Sequence, residues 1–208
     1  MLIPFNTICK KYGFIPKGIL HIGAHEMEER ADYLSLGVNK IIWVDGNLDL
    51  VEKCRTSIDE SHERMLHALV YSEDDLEFDF KITNNSQSSS ILEFSKHKEY
   101  HPQVEFIRSI KMKSRRVDSL LREELVSPND FDFVNIDIQG VELQALLGFG
   151  DYLAGVKYVY TEINAGEVYK DNDSLEDLDF FLNQKGFDRV ETYITPYEWG
   201  DALYIKKQ

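Results

Sequence analysis

Residues 18–30 read GILHIGAHEMEER, an apolar run that stops at a glycine and opens into acidic, helix-forming sequence. A buried strand, a tight turn and a helix start form the pattern of a crossover unit in a parallel sheet. The rhythm recurs along the chain. KIIWVDG (40–46) and MLHALVYS (65–72) read as the second and third strands, FDFVNIDIQG (131–140) as the fourth and VKYVYTEIN (156–164) as the fifth. Helical spacing fills the gaps: Met27, Ala31 and Leu34 up to Gly37, then Leu48, Val51, Cys54 and Ile58, then VELQALLGFG (141–150). In DNDSLEDLDFFLNQKGF (171–187) Asp173 is the expected cap and Gly186 the expected end of a helix. DRVETYITPYEWGDALYIKK (188–207) offers two strands with no helix between them, so that pair is expected to be antiparallel.

Two segments stand outside this rhythm. MLIPFNTICKKYGF (1–14) is too short and too interrupted for a signal peptide and reads as a short leading helix. LEFDFKITNNSQSSSIL (76–92) alternates and then enters an Asn/Ser tract, which suits an edge hairpin with a mobile loop; VEFIRSIKMKSRRVDSLL (104–121) supplies a returning strand and a short helix. The expected organisation is one domain over 1–208, with a helix in 1–14 and an inserted hairpin or lid in 75–115.

Composition excludes several partners. Asp plus Glu outnumber Lys plus Arg, 37 to 23, for a formal charge of −14, and no basic cluster is dense enough to follow a phosphate backbone, so nucleic acid is not expected. No stretch has membrane length. Cys9 and Cys54 show no paired spacing, which points to reduced thiols and a cytoplasmic setting. His62, His67, His97 and His101 read as scattered, with no carboxylate spacing that would mark a metal site, and no metal is expected. Oligomeric state is not encoded in any pattern of this kind.

Ligands of open parallel sheets bind beyond the carboxyl ends of the strands. The strand-end residues are Gly23, Ala24 and His25, then Asp45, then Tyr71 and Ser72, then Asp137, then Glu162 and Asn164. Asp45 lies about twenty residues past Gly23, the spacing of an acid that accepts from both ribose hydroxyls of an adenosine. Taken singly, Gly23 could serve only a turn and Asp45 only cap the next helix; together they indicate a nucleoside site. A dinucleotide fits poorly. His25 stands where a second glycine would admit a pyrophosphate, and Glu26, Glu28 and Glu29 would repel phosphates. S-adenosylmethionine (SAM) has the adenosine without the phosphates, so it suits this loop better than NAD or FAD.

The chain resembles the FkbM family of SAM-dependent methyltransferases through GILHIGAHEMEERADYLSLGVNKIIWVDGN, NNSQSSSIL, RRVDSLL, FDFVNIDIQGVELQALLGF, YTEIN and WGDALYIKK, in family order. The resemblance implies an α/β class I methyltransferase (Rossmann-like) fold: a seven-stranded sheet, mostly parallel with its last strand antiparallel, and helices on both faces. It implies O-methylation of a sugar, glycan or other natural-product hydroxyl, with S-adenosylhomocysteine as the product. His21, Gly23, Ala24 and His25 match the first SAM loop, Asp45 the ribose acid with Asn47 beside it, and Asp137, Gln139 and Glu142 the D-x-x-G-x-E block. Tyr71, Ser72, Ser88 and Ser89 are further expected cofactor contacts, with Ser88 to Ser90 as part of a lid. Met27 stands where the family often has glycine, and Gln139 replaces a frequent glutamate.

Methyl transfer to a hydroxyl needs an aligned oxygen and a proton acceptor. Asp137 is the expected base, with Glu162 as a second catalytic acid; Glu162, Asn164 and Tyr169 are expected against the acceptor. His21, inside a strand, reads rather as a hydrogen-bonded core residue. A competing reading keeps the adenosine site but not the catalysis, which tight SAM binding without turnover would favour.

Overall fold

The computed structural model describes residues 1–207, so the expected domain limit at Gln208 lies outside them. In chain order the elements are α1 (Phe5–Tyr12), β1 (Ile19–Ile22), α2 (Arg30–Ser35), β2 (Ile41–Asp45), α3 (Leu48–Arg55), β3 (Glu63–His67) and β4 (Leu69–Val70). Then come β5 (Glu77–Thr83), α4 (His97–Tyr100), β6 (Phe106–Arg115), α5 (Val117–Glu123), β7 (Phe133–Ile136) and α6 (Glu142–Leu147). A 3₁₀ turn (Gly150–Gly155), β8 (Tyr158–Asn164), α7 (Leu175–Gln184), β9 (Phe187–Ile194) and β10 (Trp199–Lys206) complete the described chain.

Seven strands form one sheet in the order β3-β2-β1-β7-β8-β10-β9. All neighbours are parallel except β10, which runs antiparallel to both β8 and β9. This is the class I methyltransferase sheet, with order reversing between β1 and β7. Both faces are covered, which is why the central strands read as continuous apolar runs. Leu20, Ile22, Val44, Val134 and Val159 meet α5, α6 and α7 through Leu121, Leu146 and Leu178. On the other face Ile19, Trp43 and Phe133 meet α1, α2 and α3 through Phe5, Tyr33 and Val51. Among the described residues no helix is long and apolar enough to cross a membrane.

Several local expectations are corrected. The helix after β1 begins only at Arg30, because residues 24–29 turn instead: the Met27 amide bonds the Ala24 carbonyl, and Met27 itself has φ +58°. Ala31 and Leu34 are therefore exposed, and Tyr33 carries the buried face, stacked on Trp43 with ring centroids 5.6 Å apart. In α3 the buried face includes Leu50 rather than Leu48. The third strand splits at Ala68, where β4 leaves the main sheet to pair with β6. The hairpin β5–β6 is accordingly part of a separate three-stranded sheet, β4-β6-β5, with a small core of Leu69, Phe80 and Ile82. Asp173 caps α6, not α7: its amide bonds the Gly140 carbonyl, which turns its Oδ2 toward the Leu143 and Gln144 amides. Ser174 caps α7 by accepting from the Asp177 amide.

Candidate active site

A cavity of about 540 Å³ opens beyond the carboxyl ends of β1, β2, β7 and β8, at the reversal of strand order. Its first wall is the loop after β1. The Gly23 and Ala24 amides both donate to the Val44 carbonyl, and the His25 amide donates to Asp45 Oδ2 at 2.8 Å. The Asn47 amide donates to Asp45 Oδ1 at 2.7 Å, so this one carboxylate ties together the loops that follow β1 and β2. Each oxygen retains a lone pair to accept from a ribose hydroxyl, so this pair of acceptors fits an adenosine. Burial raises the Asp45 pKa, against the pull of these two amides. Gly23 has φ +88°, and a Cβ there would lie 1.7 Å from the Asp137 carbonyl oxygen. Its missing side chain makes room for β7 rather than for a ligand.

The second wall is acidic. Parallel pairing aligns Ile136 with Thr161, so the next residues along each strand, Asp137 and Glu162, become neighbours. Gln139 Nε2 donates to Asp137 Oδ1 at 2.6 Å and to Glu162 Oε2 at 2.7 Å, while Gln139 Oε1 accepts from the Tyr169 hydroxyl at 2.6 Å. Burial, then the adjacent Asp137 charge, hold Glu162 well above the usual carboxylate range. Asp201 on β10 also lines the cavity; it is pushed up to about 6 by burial, and it accepts from the Tyr160 hydroxyl and the Leu2 amide. Glu142 sits beneath this wall, fully buried, with Oε1 accepting from the Ile138 and Gly140 amides and Oε2 without a partner.

Residues 84–104, between β5 and β6, form the cover. His25 Nε2 meets Ser86 Oγ at 2.6 Å, and His25 Nδ1 meets Glu28 Oε1 at 2.6 Å. Ser88 Oγ meets His97 Nε2, and Ser90 Oγ donates to the Gln139 carbonyl. Farther along, the Ser95 and His97 amides bond the Val168 carbonyl, which ties the cover to the loop after β8. Burial lowers the His97 pKa to about 4, so its imidazole is neutral at ordinary pH.

Of the residues singled out in the sequence, His21, Gly23, His25, Asp45, Asn47, Ser88, Ser89, Asp137, Gln139, Glu162 and Tyr169 line the cavity. Tyr71 and Ser72 do not: the strand split at Ala68 turns them away, Tyr71 onto Phe78 and Ser72 to accept from Arg116. Ala68, Leu69 and Val70 line the wall in their place. Ala24 and Glu142 lie behind the lining, as does Asn164, whose buried amide has no partner. His21 is a buried core residue as read, against Tyr33 and Asn135, yet it also borders the cavity. Sequence reading missed Tyr160, Asp201, Trp199, His97 and His101. The alternation of TEIN back to Tyr160 could have found the first, and the four-residue step from His97 to His101 was a helical signal overlooked.

Comparison with known proteins decides the family. A match described as the methyltransferase FkbM domain spans residues 21–189. The chain belongs to the FkbM family of SAM-dependent methyltransferases. No curated protein matches its sequence. Among solved structures, it is similar to magnesium protoporphyrin IX methyltransferase from Synechocystis with bound SAM, at 9% identity and TM-score 0.50, covering 97% of this chain and 76% of that one. A SAM-dependent methyltransferase from Aquifex aeolicus gives 10% identity and TM-score 0.51, covering 97% and 89%. A putative RNA methyltransferase from Pyrococcus horikoshii gives 13% identity and TM-score 0.50, covering 96% and 78%. At these identities the likeness is one of fold, and the FkbM member has SAM as its methyl donor.

Proposed function

We propose that this FkbM methyltransferase methylates a hydroxyl of an uncharged, carbohydrate-type acceptor, with Asp137 as the base. The observation that carries this reading is the composition of the cavity wall: Asp137, Glu162 and Asp201 line it, and among the described residues no lysine or arginine does. A phosphate or carboxylate brought there would face like charge, since the two cations on the lining, the Met1 amine and His25, already pair with Glu29 and Glu28, whereas a hydroxyl finds acceptors. When bound, SAM supplies an electrophilic methyl on a sulfonium. Asp137 would take the hydroxyl proton as the oxygen–carbon bond forms and the methyl–sulfur bond breaks, with S-adenosylhomocysteine leaving, and Glu162 would hydrogen-bond the acceptor. His101 and Trp199 supply faces for a sugar ring, while the buried Tyr169 ring backs the wall. The buried free thiols of Cys9 and Cys54 support a reducing, cytoplasmic setting.

The test offers labelled SAM with three acceptor sets: neutral saccharides, the corresponding sugar phosphates, and RNA. Methyl incorporation into a neutral saccharide, reduced about a hundred-fold or more in Asp137→Asn, is the expected result. Incorporation confined to RNA or to the phosphates overturns it.

A further inference from the structure

We propose that Gln139 is the positioning residue of this site: clamped by the cover, it presents one amide nitrogen to both Asp137 and Glu162 and makes them a single acid–base pair. The inference rests on the reading of those two acids given above. Its support is geometric. Gln139 has φ +60°, a left-handed conformation that is rare outside glycine and asparagine and persists only where the surroundings enforce it. One contact holds it there, Ser90 of the cover donating to its carbonyl at 2.8 Å, and the next residue, Gly140, continues the turn with φ +105°. The amide orientation is fixed as well, because Tyr169 donates to Oε1, and a flip would set that oxygen against two carboxyl groups.

Neighbouring carboxyls resist double ionisation, and each hydrogen bond donated to a carboxylate favours its charged form. Strand register, not the amide, fixes the backbones of Asp137 and Glu162 beside one another. Removing the amide therefore leaves both acids in place with fewer donors, and the pair should hold its proton to higher pH. The other groups that face the pair are Glu142 on α6, Asp201 on β10, Tyr160 and Tyr169, His21 on β1 and the Met1 amine. Of these only Tyr169 bonds Gln139, through Oε1; the others keep their contacts when Gln139 is changed.

The experiment is a carboxyl-carbon NMR titration of Asp137 and Glu162 in the free protein, which needs neither acceptor nor SAM. In Gln139→Met, which keeps the length but not the amide, the upper midpoint of the pair should rise by about one pH unit. Gln139→Glu, adding a third carboxyl, should raise it further. Ser90→Ala leaves the amide in place but frees its backbone, and should give a smaller rise in the same direction. Unchanged midpoints in the two Gln139 variants, with native thermal unfolding, overturn the proposal. Loss of fold in Gln139→Met leaves Ser90→Ala to decide: no rise there overturns it. A wild-type protein that titrates as described but transfers no methyl to a neutral saccharide would sink the functional reading alone.

Discussion

His25 and Ser86 join the loop after β1 to the cover, Nε2 to Oγ at 2.6 Å across 61 residues of sequence. The polarity of this contact is set by its surroundings. Ser86 Oγ donates to the Asn85 carbonyl, so it accepts from His25 Nε2, and Glu28 accepts from Nδ1. A protonated ring lets both nitrogens donate, so the clasp is strongest as an imidazolium.

The clasp should loosen as pH rises. Burial lowers the His25 pKa, but Glu28, Asp45 and Glu26 outweigh it and the net shift is upward. A raised folded pKa gives a contribution that is complete below the unfolded value, about 6.5, and lost as pH climbs through the folded one. Glu28, held at about 2 chiefly by His25 against its own burial, stays charged throughout. Hydrogen exchange in 84–90, corrected for intrinsic rates, should therefore speed up toward alkaline pH in the wild type. His25→Asn should show fast exchange at every pH; a pH response equal to the wild type would contradict the clasp.

Asp45→Ala should weaken SAM by about 2–4 kcal/mol, roughly thirty-fold to a thousand-fold, through lost charge-assisted bonds to the ribose and slackened His25 and Asn47 amides. Calorimetry with SAM is the measurement, with thermal unfolding as a control for the loops. Unchanged affinity would remove Asp45 from the cofactor site.

Much of the architecture was legible because its causes are local. Apolar runs ended by Gly23, Asp45 and Asp137 located the central strands and the cavity edge, and both faces are covered as those runs implied. What escaped depended on distant contacts. The strand break at Ala68 follows from pairing of Leu69 with Ser114, which takes Tyr71 and Ser72 off the cavity lining. The cap role of Asp173 depends on Gly140, and the late start of α2 on a turn that needs a left-handed Met27. Gln139 read as a lost carboxylate, since its bridging role appears only when β7 and β8 stand side by side.

Two glycines with positive φ should respond very differently to alanine. At Gly37, φ +80° with nothing within 4 Å of a new Cβ, the cost is backbone strain alone, about 1–2 kcal/mol. At Gly23 the same strain adds to a backbone collision, and the cost should be about 3 kcal/mol or more. Urea unfolding of both variants checks this; equal losses would show that the β1–β7 contact can yield.

Glu142→Gln should be tolerated, and increasingly favoured at high pH. Burial, then the Asp173 and Asp137 charges, raise the Glu142 pKa despite the Gly140 amide. Its contribution is thus complete below the unfolded value of about 4.3 and lost as pH rises through the folded value. Glutamine keeps the Oε1 acceptor and never ionises. Urea midpoints across the pH range should diverge in favour of the variant; parallel profiles would place a charged glutamate in the core.

Strand β10 sits between β8 and β9, yet it follows every other described element. During synthesis from the amino end, β8 therefore waits as an open edge, β9 has no sheet to join, and Leu2 and Tyr160 have no Asp201 to bind. The wall of the cavity closes in the same event that completes the sheet. A nascent chain would be silent as an enzyme until β10 has emerged, and any chaperone that shields the β8 edge would also hold the candidate active site unformed.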